Sequence, residues 1–345
     1  MACPLGAGAQ EAGKVLFIRG AERSGGFFEA NNDTGLTEQL ADIRNTSTSG
    51  GNHGWFEFAS LLVDNGFQVE QAIEPLEAGA PTTGQTTGAA LSLDGSFTVS
   101  DRLGVTPAVS RSLADYDAVI FGSNNAVYGN PQIDALESYV RGGGGVLFIS
   151  DANFGSGWSD ASNSDQQFLD RFGLVVNQDR GTYVLSSAEA GGGAPADYTQ
   201  GDHPILSGVN AFDGEGVTPF QIGTLTEGVT AEILVQAEGN TSDNTGTDAR
   251  GDARPVTMND AALLVAEADL GRIAGHFDRN TFFNQNGAGT FLNRTAGGSI
   301  QLDNDIYALN LVTWVANVPE PGTMSTVLLG TLLALKRSAA KRRRV

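Results

Sequence analysis

The sequence predicts an α/β domain built on a parallel sheet, and three observations carry the prediction. Two short apolar runs, residues 118–121 (AVIF) and 146–149 (VLFI), flank a segment of helical length, PQIDALESYVRG, with its apolar residues on one face. That is the pattern of a strand–helix–strand unit feeding two neighbouring parallel strands. Residues 14–19 (KVLFIR) form a nearly continuous apolar run, as a central strand buried on both faces requires. Residues 303–316 read as a closing helix carrying Ile306, Leu309, Val312, Trp314 and Val315. Ligands of such sheets sit beyond the carboxyl ends of the strands, so residues 122–125 and 150–155 are expected to line the site.

The elements follow in order. Residues 20–51 are polar and rich in Gly, Asn, Thr and Ser, a length that marks a functional or a disordered connection. Asn52 is the expected N-cap of a helix bearing Trp55, Phe56, Phe58, Ala59, Leu62 and Val63. Asn65-Gly66 ends it, and residues 67–72 restart as a strand. The Gly/Thr/Ala-rich stretch 77–112 is an excursion with a hairpin expected around Asp94-Gly95. The glycine run 142–145 is a helix C-cap entering a strand, not a phosphate cradle, since no helix follows it and the P-loop lysine is missing. A helix is expected over 165–172, an extended piece at 174–176 and an edge strand at 182–187. Residues 217–222, 231–237, 262–266 and 272–277 read as later strands. No repeat and no sharp boundary divides the body. It is therefore one domain, 14–317, preceded by 1–13 as a signal remnant or disordered lead and followed by a separate C-terminal unit, 318–345.

Charge narrows the partners. Forty acidic residues face twenty basic ones, for a net charge of −20, and six of the basic residues lie in the last ten positions. A body this acidic repels nucleic acid and anionic lipid and suits a solvated or exported setting. Cys3 is the only cysteine, so there is no intrachain disulfide and no cysteine metal site.

The C-terminus holds the most specific motif. Val318-Pro319-Glu320-Pro321-Gly322 precedes an apolar run from 323 to 335, and a tail containing Lys336, Arg337, Lys341, Arg342, Arg343 and Arg344 follows. The run is shorter than the ~20 apolar residues a spanning helix needs, and its basic end should stay cytoplasmic, which describes a transient membrane stop. The arrangement resembles the PEP-CTERM sorting signal. That resemblance implies a C-terminal sorting helix, cutting near Pro319-Glu320-Pro321 by an exosortase-type membrane protease, and passage of the body to the cell surface; an ordinary tail anchor is the alternative. Export needs a leader, and Ala7-Gly8-Ala9 before Gln10 fits a signal cleavage pattern, with the true start upstream; a lipoprotein box at Cys3 is the other reading.

The order of pieces in the body resembles the class I glutamine amidotransferase-like superfamily, in the branch containing ThuA-like domains. The opening strand, the His53-containing helix ending in Asn65-Gly66-Phe67-Gln68-Val69, the Asp117 strand and the helix into Gly143-Gly144-Gly145 carry the likeness. His203-Pro204-Ile205 with Gly208, Gly271-Arg272-Ile273-Ala274-Gly275-His276 and the Trp314 helix continue it. The resemblance implies a flavodoxin-like, doubly wound, mainly parallel sheet with helices on both faces. Where the family carries a cysteine nucleophile, this chain has Ser150 followed by Asp151, so thiolate-dependent glutamine hydrolysis is excluded.

Several site readings stay open. Ser150, His276 and Asp278 could converge as nucleophile, base and orienting carboxylate, or Ser150 and Asp151 bond to nearby loop backbone. His53, Asn124, Asp151, His203 and Glu215 are the expected binding crevice, able to hold a divalent metal or act on a sugar hydroxyl. Independent capping roles for the histidines are the alternative. Acidic loops at 31–33, 160–165, 243–252 and 303–305 offer hard oxygen ligands for calcium, against which stands an ordinary solvated acidic surface; none follows the twelve-residue calcium pattern and no cofactor is evident. Together these give an exported, surface-sorted protein whose body is an envelope or extracellular binding module, with carbohydrate as the expected ligand class. The competing reading is a ThuA-like sugar-processing enzyme or a Ser150 hydrolase.

Overall fold

In the computed structural model, residues 13–20, 41–46, 53–79, 88–103, 108–124, 126–150, 161–176, 182–187, 196–215, 219–237, 260–296 and 300–317 are described. The chain enters as β1 (Gly13–Arg19), crosses through α1 (Phe56–Asp64) to β2 (Phe67–Ile73), and continues as β3 (Phe97–Asp101) and β4 (Val109–Arg111). It returns on the other side of β1 as β5 (Ala118–Ser123), and α2 (Asn130–Arg141) carries it to β6 (Gly145–Ile149). There follow α3 (Ala161–Leu169), β7 (Leu174–Val176), β8 (Thr182–Ser186), β9 (Ala211–Glu215), β10 (Phe220–Ile222), β11 (Val229–Gln236), β12 (Ala261–Ala268) and β13 (Gly271–His276). Short ladders of β14 (Gln285–Asn286) with β15 (Gly289–Thr290), and β16 (Thr295–Ala296) with β17 (Ile300–Gln301), precede α4 (Asn304–Val315).

The main sheet has 11 strands in the order β4-β3-β2-β1-β5-β6-β13-β12-β10-β7, with β11 beside β12. Its centre, β2-β1-β5-β6-β13, is parallel throughout. Both flanks are antiparallel. The expectation of a mainly parallel sheet therefore describes the centre, and the flanks correct it. Only Asp269 and Leu270 separate β12 from β13, a connection too short for the crossover that parallel strands need. The hairpin expected at Asp94-Gly95 is instead the β3–β4 pair, and Asp94-Gly95 forms a turn leading into β3. Residues 182–187 do not edge the main sheet; β8 pairs with β9 in a ladder of its own.

Alternation along the strands sorts the core into two layers. Val15, Phe17, Ile120, Leu147 and Ile149 pack with Phe58 and Leu62 of α1 and Tyr307 and Leu311 of α4. Leu16, Ile18, Val119, Phe121, Val146 and Phe148 pack with Leu136 and Val140 of α2 and Phe168 of α3. Each such side chain taken fully from water contributes roughly 1.5–3 kcal/mol. Helices thus cover both faces. The connection from β1 leads one way through α1 and that from β5 the other way through α2. Strand order reverses between β1 and β5, and at such a reversal doubly wound sheets hold their ligands.

Helix α1 begins at Phe56 with Trp55 as its N-cap residue, so His53 precedes the helix and does not lie in it. Asn52, expected as the cap, lies outside the described residues. Gly122 lets the Trp55 indole lie directly on β5, and Gly145 lets the carbonyl of Val315 approach β6 where a Cβ would collide with it. At the other end of the sheet, Glu70 gathers Lys14 Nζ at 3.0 Å, Arg111 at 3.0 and 3.1 Å and the Tyr116 hydroxyl at 2.6 Å. Burial alone would raise the Glu70 carboxyl; the hydrogen bonds from Arg111, Tyr116 and Lys14 outweigh it and bring it down to about 2.

Gly145→Ala is expected to lower the unfolding free energy by about 1–3 kcal/mol. A urea midpoint equal to that of the unaltered chain would show that α4 yields freely. Because the Glu70 carboxyl is depressed on folding, its contribution is complete above 4.5 and is lost as pH falls towards about 2. The stability difference between the unaltered chain and Glu70→Gln, followed by urea unfolding at stepped pH, should shrink across that window.

Candidate functional site

The carboxyl ends of the parallel strands bring Arg19, Asn124, Ser150 and His276 to one edge of the sheet. Each has a different set of partners, and those partners decide what it can do.

His276 is fully buried at the end of β13. Its Nδ1 lies 2.8 Å from the Tyr307 hydroxyl and its Nε2 2.9 Å from Thr281 Oγ1. The Thr281 hydroxyl donates its one proton to the Asp213 carbonyl at 2.6 Å, so it accepts from His276. Nε2 therefore carries the ring proton, and Nδ1 accepts from Tyr307. Both nitrogens are committed, and burial pushes the imidazole down to about 3. A general base needs a free lone pair at working pH, and this ring has none to offer.

Ser150 and His276 are also separated by the sheet. His276 is the register partner of Ile149, and Ile149 belongs to the α1/α4 layer. Ser150, the next residue, follows alternation onto the opposite, α2/α3 face. The two meet through backbone alone, Ser150 N–H donating to the His276 carbonyl at 3.0 Å. Asp278 is buried and caps the 3-10 turn Arg279–Phe282, accepting from Asn280 N–H at 3.0 Å. The expected order of nucleophile, base and orienting carboxylate is not assembled through side chains.

Around His276 lies a buried polar network that composition and spacing did not show. Arg294 Nη1 meets Asp213 Oδ1 at 3.0 Å and the carbonyls of Asn280 and Thr281 at 2.9 and 3.1 Å. Asn304 Nδ2 donates to Asp213 Oδ1 at 2.7 Å and to the Thr281 carbonyl at 3.0 Å. These residues lie far apart in sequence, so no local pattern announces them. A second network sits at the end of β1. Asp42 takes Arg19 at 3.4 Å, Arg44 at 2.8 Å and Gln71 at 3.0 Å. Burial would raise the Asp42 carboxyl, but Arg19 and Arg44 outweigh it and hold it below its ordinary value.

Asn124 and Ser150 differ from these. Both are 0% exposed, and among the described residues neither the Asn124 amide atoms nor the Ser150 hydroxyl has a hydrogen-bond partner. The Trp55 indole N–H shares that condition. Such groups are rare in folded proteins, where a buried polar atom is nearly always met by a protein group, a water or an ion.

The remaining expected residues scatter. The His53 ring packs on Phe283 at 4.4 Å. His203 caps the 3-10 turn Pro204–Leu206 with Nδ1 accepting from Ile205 N–H at 3.3 Å, and its ring meets the edge of Trp314 at 5.2 Å. With Thr230, Glu232, Glu267 and Trp314 it lines a groove of about 340 Å³ over β11 and β12. Glu267 is the register partner of Arg272, and Arg272 that of Gly145, so this groove reaches the amino end of β6, away from Asn124. Glu215 ends β9, its side chain outside the described residues; Asp151, Pro319, Glu320 and Pro321 also lie outside them. Asp303, from the acidic loops, is engaged by Asn210 at 2.7 and 3.0 Å. Among the described residues no group of three His, Cys, Asp or Glu is placed to hold a metal, and no helix is long and apolar enough to cross a membrane.

No protein-family model and no curated protein sequence matches the chain. Solved structures similar to it include a ThuA-like protein from Parabacteroides merdae, at 13% identity and TM-score 0.41 over 88% of this chain and 89% of that one. A second ThuA-like protein, from Bacteroides uniformis, aligns at 12% identity and TM-score 0.38 over 91% of this chain and 95% of that one. A cytoplasmic protein of Salmonella typhimurium aligns at 13% identity and TM-score 0.40 over 88% and 98%. The class is that of mixed α/β proteins with a parallel sheet core, and this assignment rests on the strand order itself.

The committed imidazole has a measurable signature. Its folded value of about 3 lies below the ordinary 6.5, so the unfolded chain takes up a proton that the folded one refuses. Stability should therefore fall as pH drops from 6.5 towards about 3, by an amount on the order of 5 kcal/mol over the whole window. In His276→Gln, urea unfolding between pH 7 and 4 should show a flatter dependence. Equal slopes in the two proteins would contradict the buried neutral ring.

Proposed function

We propose that this is an exported, surface-sorted protein whose α/β body works as a non-catalytic binding module of the envelope or extracellular matrix. The observation that carries the binding half is the full commitment of His276 to Tyr307 and Thr281, on the face of the sheet opposite Ser150. A Ser150 hydrolase, or a sugar-processing enzyme using His53, His276 and Asp278, needs the base that this arrangement occupies. The carboxyl edge of β1, β5 and β6 remains the place where a fold of this topology holds a ligand, and Asn124 and Ser150 stand there. Carbohydrate is the ligand class that suits such a module.

The sorting half rests on the sequence of 318–345, in which Pro319-Glu320-Pro321, an apolar run and a basic tail follow one another. An exosortase-type membrane protease and the export machinery are the partners this implies, with transient insertion through the C-terminus. The strongly acidic body agrees with a solvated surface location.

Intact-mass spectrometry of the protein recovered from the cell surface tests the sorting half. The expected mature chain ends near Pro319-Glu320-Pro321, and an intact Val345 terminus on the surface form would refute processing. For the binding half, nitrophenyl ester and glycoside hydrolysis by the purified protein should be the same with and without Ser150→Ala. A loss of more than about tenfold in that variant would establish the hydrolase instead.

A further inference from the structure

We propose that the groove over β11 and β12 is a binding site for a small organic cation, a primary ammonium on a compact body, seated between the carboxylates of Glu232 and Glu267. The site lies at the end of the sheet away from Ser150. It goes beyond the binding reading above and does not depend on it.

Register brings the groups together. Thr230 pairs with Glu267 and Glu232 with Val265, and residues paired across antiparallel strands share a face of the sheet. That face is the one α4 covers, because Val265 packs in the α1/α4 layer. Glu232 and Glu267 are thus diagonal neighbours, roughly 7–8 Å apart, a gap that their long side chains can close on a shared ligand. His203 and Trp314 complete the lining, their rings meeting edge-on at 5.2 Å. Both are held from outside the groove. His203 Nδ1 accepts from Ile205 N–H at 3.3 Å, and Arg272 lies 5.0 Å over the indole while its Nη1 donates to the Trp314 carbonyl at 2.9 Å. The aromatic side of the groove is therefore fixed before any ligand arrives.

The chemistry of the lining then selects the ligand. Burial lowers the His203 imidazole below its ordinary value against the pull of Glu232 and Glu267, so the ring is neutral at pH 7 and offsets neither carboxylate. Arg272, the register partner of Glu267, brings one positive charge to the same face. Among the described residues the groove is left with one carboxylate in excess. Carboxylates only accept hydrogen bonds, and an ammonium supplies donors together with the opposite charge. An anion would meet two repelling groups, and a neutral polyol would bring no charge of its own to either. A bare metal ion fits less well, since His203, Glu232 and Glu267 do not form a group placed to hold one. The volume of about 340 Å³ stands at the small end for organic ligands, and Val265 and Trp314 give a compact body apolar surface to rest on. A net charge of −20 also draws cations towards the molecule.

Calorimetry on the full chain tests the site with pairs of probes that share a body and differ at one group, cyclohexylamine against cyclohexanol and D-glucosamine against D-glucose. The ammonium member of at least one pair should bind saturably, with affinity more than about tenfold above that of its neutral counterpart. That affinity should fall several-fold in Glu232→Gln and again in Glu267→Gln. Both side chains are exposed, so the fold should survive either change, with an unaltered circular dichroism spectrum as the check. Asp64→Asn, which removes an exposed carboxylate on α1, controls for overall charge and should leave binding unchanged. Equal affinity for the neutral counterparts would overturn the ligand class. A loss in Asp64→Asn as large as in the glutamine variants would assign binding to diffuse surface charge and overturn the site. Binding unaltered in both glutamine variants, or no binding by either amine, would overturn it as well. The Ser150→Ala and intact-mass experiments are independent of all these outcomes, so failure here is distinct from failure of the reading above.

Discussion

The chain of hydrogen bonds from Tyr307 through His276 and Thr281 to the Asp213 carbonyl is the constraint on which the carboxyl end of the molecule depends. It joins α4, β13, the turn Arg279–Phe282 and β9, four pieces with little else in common in sequence. Arg294 and Asn304 converge on the carboxylate of the same Asp213. Inside a protein, a polar network whose members are satisfied rigidifies what it connects, and breaking one member exposes the rest to an unmet desolvation cost. Rings of Phe212, Phe282 and Tyr307 enclose the imidazole, with Phe212 and Tyr307 stacked at 4.1 Å.

That commitment leaves Ser150, at the end of β6, without His276 as an attendant base. The register fixes Ile149 against His276, and one further residue along β6 turns the Ser150 side chain to the other layer. Nothing short of a slip in register would bring the two together, and a slip by one residue would turn the whole apolar set of β6 inside out. Among the described residues, Asn124, Ser150 and the Trp55 indole are neutral side chains with buried polar atoms that no hydrogen bond engages. The groove of His203, Glu232, Glu267 and Trp314 is a separate feature of the opposite end.

Much of the parallel core could be read from the chain alone. Residues 14–19, 118–121 and 146–149 have the apolar continuity of strands buried on both sides, and the α2 segment has one apolar face. The glycines after Arg141 serve the expected helix end, Gly143 adopting φ +114°. The antiparallel flanks were harder, because strand pattern reports burial and period but not direction; only the short Asp269-Leu270 connection betrays it. Ser150, Asn124 and His276 stand at or just past strand ends, where the apolar runs before them stop. Their partners were not readable. Tyr307, Thr281 and Arg294 meet His276 or Asp213 only through long-range packing, and Trp55 looked like an ordinary helix residue. Which face a terminal residue occupies depends on register, and register is settled by pairing.

The most direct measurement is nitrogen-15 NMR of His276 through a pH titration. The structure predicts a single neutral tautomer protonated at Nε2, with no titration down to about pH 4 and loss of the ring signal only as the fold gives way near its value of about 3. A ring that titrates close to 6.5 in the folded protein, or that carries its proton at Nδ1, would contradict the committed imidazole and return His276 to service as a base.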